Sequence, residues 1–246
     1  MWIFLNIGLF AAVWKRPALT KRWAAHCVAL REELAPDIEL VLSMTGSEGE
    51  TSRAHAVHPW HYAEAPNQPL GRKFNVAVGT LRNHHVDAVF HIGPDDFVSA
   101  SLIRFLASRI ESGCHFVGLL DCYMFNIATG EVALCAGYPR SHPRHGEELG
   151  AYRMISTEFL SRVNWTPWNS TKVAGPDGHS RKRLEVSAPD LWRTREAHHV
   201  RGVGSAIDVK DGLGKTPWNL LLRRGFHAPA TVDEVFAEIP RTSITG

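Results

Sequence analysis

Asp95 and Asp96 are the residues whose types and spacing most invite chemistry. Adjacent carboxylates suit a hard divalent cation such as Mg²⁺ or Mn²⁺, which takes one or two carboxylates and completes its shell with phosphates and water. A nucleotide diphosphate is a natural companion for such an ion. The plain alternative is a solvated turn whose charges favour the start of the following helix. Other candidates lie along the chain. Arg72, Lys73 and Asn75 fall near the start of a helix, where cations beside free N–H groups make an anion site. His55, His58 and His61 are spaced three apart, but no cysteine or acid completes a recognised zinc spacing around them.

The elements that must position the acid pair are legible around it. Val86 to Ile92 is a short run, mostly β-branched or aromatic, that reads as a buried strand. Gly93 and Pro94 stop it, since proline has no N–H to donate, and the acids then stand where the chain leaves the sheet. In open α/β sheets ligands bind beyond the carboxyl ends of strands. Ser99 is placed to cap a helix carrying Leu102, Ile103, Leu106 and Ile110. Upstream, Ile3 to Val13 reads as a first strand, Trp14 to Pro17 as the loop into a helix, and Ile38 to Met44 as a second strand. Thr45 to Pro69 reads as a long loop, and Pro69 to Leu81 as a loop running into a helix.

Downstream, His115 to Leu120 and Val132 to Ala136 are further strands, and Ser156 or Thr157 is positioned to cap a short helix. Asn164 to Arg183, rich in Trp, Gly and Pro, is a candidate lid or acceptor wall, with core packing of the tryptophans as its alternative. His179 to Arg201 is basic around Trp192, which suits either a phosphate backbone or a charged surface balanced by Glu185, Asp190 and Glu196. Ser205 to Val209 is a late strand, Thr216 and Pro217 open a helix through Leu222, and Thr231 with Glu234 makes a capping box. Strand and helix alternate first and paired strands follow, which implies a mixed α/β sheet in one domain.

Composition narrows the class. A chain of 246 residues accommodates one large α/β domain, and a net charge of +2 does not by itself imply a polyanionic partner. No apolar run reaches membrane length, and the apolar start has no basic region before it, so no membrane span is indicated. Cys27, Cys114, Cys122 and Cys135 form no C-x-x-C pair and read as buried, reduced thiols of a cytoplasmic protein, with pairing of Cys122 and Cys135 left open.

Taken in order, the basic loop after the first strand, P-L-G-R-K-F-N at 69–75 and strand-G-P-D-D-F-V-S resemble GT-A-fold glycosyltransferases, particularly the family-2-like group. The likeness continues through Gly146 to Arg153, Trp165, Trp168, Gly175-Pro-Asp177 and Ile207 to Lys210. The resemblance implies a Rossmann-like mixed central sheet flanked by helices in a single domain, with residues 1–123 binding the nucleotide sugar and 124–246 the acceptor. It implies a nucleotide-diphosphate-sugar donor, UDP-sugars favoured, and Mn²⁺ or Mg²⁺ on Asp96 with Asp95 beside it. Ala12, Val13, Trp14 and Arg16 would line the nucleotide pocket, Lys73 and Asn75 would lie near the diphosphate or ribose, and Asp177 or Glu148 would be the general base. Pro94 departs from the small or acidic residue usual there, and Glu48 is a distant substitute for the acid that reads the base. Glycan, lipid-linked, protein, small-molecule and nucleic-acid acceptors all remain open. A nucleotidyltransferase would need a glycine-rich phosphate loop, and Ala11 to Arg16 has no glycine. A non-catalytic nucleotide- or glycan-binding module is the other alternative.

Overall fold

The computed structural model describes residues 5–171, 176–212, 218 and 227–245. Its centre is β1 (Leu5–Ala12), an apolar strand covered on both faces, as expected of a strand inside a parallel sheet. It pairs in parallel with β2 (Ile38–Gly46) and with β4 (Ala88–His91). Between β1 and β2 runs α1 (Pro17–Leu34), which buries Trp23, Cys27, Leu30 and Leu34. Between β2 and β4 runs α3 (Leu70–Leu81), which buries Ala77, Val78 and Leu81 on the opposite face of the sheet.

The expected loop at 45–69 contains more structure than its sequence announces. A one-turn helix, α2 (Glu50–Arg53), precedes β3 (His61–Glu64), which adds to β2 in parallel from Ser43↔His61 to Gly46↔Glu64. Four residues with no buried member among them carry no readable period. After β4 the chain makes a tight turn at 93–95 and enters β5 (Asp96–Val98), so Asp96 opens a second strand rather than standing in the loop. Ser99 then caps α4 (Ala100–Glu111), its Oγ accepting the Leu102 N–H at 3.3 Å.

The remaining strands are β6 (Phe116–Leu119), β7 (Cys122–Asn126), β8 (Val132–Cys135), β9 (Arg153–Ser156), β10 (Glu196–His198), β11 (Ala206–Lys210) and β12 (His227–Ala228). Among the described residues they build a seven-stranded sheet, β10-β6-β9-β4-β1-β2-β3, and a five-stranded sheet, β12-β8-β7-β11-β5. The first sheet is mixed because β9 runs antiparallel between β4 and β6. The turn between β4 and β5 passes the chain from one sheet to the other, with the acid pair at the crossing.

The tryptophan-rich stretch is core. Trp168 is 1% exposed, with its ring against Phe10 and Phe74, and Trp165 is buried near it. Residues expected as a lid form α6 (Pro176–Ser187), which follows α5 (Thr157–Arg162); among its described side chains Leu184 alone is apolar and buried, which gives no helical stripe to read. The capping box of Thr231 and Glu234 is present, and so is the Ser156 cap. Gly175 and, apart from Trp218, the helix expected from Thr216 to Leu222 lie outside the described residues. All four cysteines are free, and Cys122 stands opposite Cys135 across β7 and β8. Among the described residues no helix is long and apolar enough to cross a membrane.

Candidate functional site

The loop that leaves β1 is held in a costly shape. Lys15 and Arg16 have φ of 57° and 52°, left-handed values that cost non-glycine residues about 1–3 kcal/mol each when the surroundings enforce them. The enforcing contacts are visible: the Lys15 N–H donates to Glu48 Oε2 at 2.6 Å, the Val13 N–H to the Thr45 carbonyl at 2.8 Å, and Lys73 Nζ to the Val13 carbonyl at 2.6 Å. The strained turn aims Arg16 at Asp95, 3.0 Å away, and at Asp211, 3.6 Å away. Trp14 stands 38% exposed with the Lys15 ammonium 4.3 Å over its ring.

The acid pair folds back over Gly93. A Cβ at that position would lie 2.8 Å from Asp95 Oδ1 and from Asp96 Oδ2, so any side chain there would push the two carboxylates aside. Asp96 is braced from three directions. Its Oδ2 accepts the Gly93 N–H at 2.5 Å, its Oδ1 accepts the Tyr152 hydroxyl at 2.5 Å, and its carbonyl accepts the Trp23 indole N–H at 2.9 Å. Burial, then the nearby Asp95 and Asp208, push its carboxyl up to about 8. Asp208 faces Asp96 in register across β5 and β11; Lys210 holds one of its oxygens at 2.5 Å, and the other is covered without a partner. The carboxylates Asp95, Asp96, Asp208 and Asp211 thus outnumber Arg16 and Lys210 at this corner.

The loop Gly150–Ala151 and the first turn of α6 complete the enclosure. Gly150 lies directly against the Asp177 carboxylate, where any Cβ would collide with it. Together these elements surround a cavity of about 330 Å³, within the range of small-ligand sites. Ala12, Trp14, Arg16, Asp95, Asp96 and Asp177 line it, from three separate parts of the chain.

Four expected site residues are placed elsewhere. Val13 is buried beneath the rim and contributes its carbonyl. Lys73 is fully buried, its Nζ donating to Val13, to Ser47 Oγ at 3.0 Å and to Asn67 Oδ1 at 3.2 Å, and burial pulls its ammonium down to about 8. It shapes the rim from behind. Asn75 staples α3 to the tryptophan segment, donating to the Trp168 carbonyl at 2.8 Å and accepting the Trp168 N–H at 3.0 Å. Glu148 is 0% exposed and outside the cavity lining, its Oε1 held at 2.8 Å by Arg195 Nε. The neighbouring Glu147 accepts from Arg144 at 2.7 Å and Arg181 at 3.0 Å. Much of the basic stretch at 179–201 is therefore paired with acids, and Arg181 and Arg195 also lie over the Trp192 ring at 5.4 and 5.0 Å.

The cavity also holds His91 and Lys210, and Tyr152 and Asp208 support its floor. His91 carried a signal, a polar residue inside an apolar strand run. Lys210 and Asp208 lay in the Ile207 to Lys210 stretch, and Tyr152 in the Gly146 to Arg153 stretch, that carried the resemblance, but no role was assigned to them; the left-handed φ of Tyr152, 62°, cannot be read from sequence.

No family model and no curated protein matches the sequence. The fold is similar to that of S. aureus TarS 1–349, crystallised in complex with UDP, at a TM-score of 0.53 and 10% identity, covering 83% of this chain and 60% of that one. It is also similar to M. tuberculosis glucosyl-3-phosphoglycerate synthase, at 0.52 and 13% identity, covering 88% of this chain and 75% of that one. The chain therefore spans less than two thirds of the TarS fragment. The architecture is the GT-A fold of glycosyltransferases: mixed sheets flanked by helices in one domain.

Proposed function

We propose that this GT-A-fold chain transfers a sugar from a nucleotide-diphosphate sugar, a UDP-sugar foremost, to an acceptor hydroxyl. The observation that carries the reading is that Asp95, Asp96 and Asp177 share one cavity with Arg16 and Lys210. The UDP bound to the structurally similar TarS supports the choice of nucleotide. Residues 1–123 supply the nucleotide side, and 124–246 supply Gly150 and Asp177 toward the acceptor, with Lys210 reaching back to the corner of Asp95.

The residues at the Gly93 turn fit Mn²⁺ or Mg²⁺. They offer hard oxygen donors and a surplus of carboxylate, and one Asp208 oxygen is covered without a partner. Asp95 and Asp96 would hold the ion, and when bound it would neutralise charge on the departing diphosphate. The chain's own residues do the rest. Trp14 offers an aromatic face to the base, and Ala12 sets the depth of its slot, backed by Val13, whose carbonyl Lys73 holds. Arg16 and Lys210 stabilise the leaving group; burial opposes the charge on the Lys210 ammonium, but the carboxylates of Asp208 and Asp95 outweigh it and raise its pKa above the usual lysine value. Asp177 Oδ1, covered and without a partner, takes the proton of the attacking hydroxyl, a role that contributes roughly 10²–10⁴-fold. Four unpaired thiols suit a reducing compartment, the cytoplasm.

A non-catalytic nucleotide-binding module is favoured by one observation, the Arg16 guanidinium already seated on Asp95. Calorimetric titration of UDP and UDP-sugars with and without Mn²⁺, followed by an assay of sugar release, separates the two. Transfer or hydrolysis supports the enzyme, binding without turnover supports the module, and no binding removes both.

A further inference from the structure

His91 closes β4 with a polar ring at the end of an apolar run. The ring cannot swing. It stacks on Phe10, centroids 4.8 Å apart and planes 14° apart, and meets Phe74 and Trp168 edge-on at 4.8 and 5.3 Å. Its Nδ1 is 3.1 Å from the Gly150 carbonyl. A carbonyl only accepts, so Nδ1 carries the hydrogen and Nε2 of the neutral ring is a lone-pair acceptor. Nε2 has no hydrogen-bond partner among the described residues, although His91 is 5% exposed and lines the cavity.

Asp177 presents the same chemistry beside it. Both groups rest on Gly150, His91 through the carbonyl and Asp177 against the α-carbon, and Asp177 Oδ1 also lacks a partner. Two neighbouring acceptors call for a ligand that brings donors, as the hydroxyls of a sugar do, and would repel an anion. A sugar undergoing transfer lies between a leaving group at Asp95 and Asp96 and an attacking hydroxyl at Asp177, which sets its ring hydroxyls over this wall.

We propose that His91 Nε2 accepts a hydrogen bond from one hydroxyl of the donor sugar and thereby selects among donors; this rests on the glycosyl transfer proposed above. The test titrates UDP, UDP-glucose, UDP-galactose and UDP-N-acetylglucosamine, with Mn²⁺, into the parent protein and into His91→Phe and His91→Gln. The parent binds one UDP-sugar more tightly than UDP. His91→Phe loses about tenfold for that sugar, the upper range of one neutral hydrogen bond, and stays within about twofold for UDP. His91→Gln, which carries an acceptor oxygen at similar reach, recovers part of the loss. A deoxy analogue lacking the hydroxyl that is read binds the parent about tenfold more weakly than the full sugar, which tests the contact even where the Phe ring disturbs packing. Equal losses for UDP and UDP-sugar in His91→Phe, or no discrimination among all monodeoxy analogues by the parent, overturn the role of His91 alone. Failure of the parent to bind UDP or any UDP-sugar overturns the glycosyl-transfer reading and this one with it.

Discussion

Two pairs of adjacent acids, Asp95-Asp96 and Glu147-Glu148, are alike in sequence and opposite in setting. Glu147 and Glu148 each meet arginine side chains, Arg144 and Arg181 for one and Arg195 for the other, and the second is sealed from solvent. Asp95 and Asp96 crowd with Asp208, share too few cations, and open on a cavity. The first pair is arranged to cancel its charge within the protein, and the second to leave charge uncancelled. What separates a structural carboxylate from a reactive one here is the supply of partners, which adjacency in sequence does not report.

The largest break in that comparison comes from the cavity pair. Asp95→Asn and Asp96→Asn are each expected to lower UDP-sugar turnover by about 10²–10³-fold, the usual cost of losing one charge-stabilising group. Asp96→Asn also relieves like-charge crowding, so its thermal midpoint is expected to hold or rise; a fall in both turnover and midpoint would make the pair structural. His91, between the two regions, gives the next effect. Burial holds its pKa down to about 4 against an unfolded value near 6.5, so the unfolded chain binds more protons between those pH values. Its contribution is present above about pH 6.5 and is lost as pH falls toward 4, on the order of 3 kcal/mol in full. Denaturant melts of the parent and His91→Phe from pH 4.5 to 7 read this as a flatter slope in the variant.

Glu148→Gln is expected to cost about 1–3 kcal/mol of stability by leaving Arg195 underpaired, with turnover per folded molecule within about twofold. A large loss of turnover at unchanged stability would move Glu148 back among the catalytic candidates. The exposed pair of Arg104 and Asp37, 2.7 Å apart with side chains 39% and 33% exposed, sets the lower limit. Arg104→Ala is expected to change stability by no more than about 1 kcal/mol in the same melts.

Much of the architecture was legible because its signals are local. Short apolar runs rich in β-branched and aromatic residues mark β1, β2 and β4, and Ser99, Ser156 and Thr231 announce the helices they cap. The edge strand β3 was not legible, since its four residues lack a buried face, and α6 was not, since its apolar positions do not recur. At the site, Asp95, Asp96, Arg16 and Asp177 stood at strand ends or helix starts, where position alone suggests chemistry. Lys73, Asn75 and Glu148 have equally suggestive chemistry, but their partners Val13, Trp168 and Arg195 are brought to them only by the tertiary fold. Tyr152 and Asp208 became visible for the same reason, through long-range contacts to Asp96.

The triple bracing of Asp96, by the Gly93 amide, the Tyr152 hydroxyl and the Trp23 indole, has an evolutionary corollary. Those anchors come from a turn, the bend that leads into β9 and a helix, and of the three only Gly93 belongs to the cavity lining. Insertions or replacements in the surrounding rim can therefore accumulate without re-aiming the floor, so a lineage could exchange one client molecule for another while keeping the same foundation.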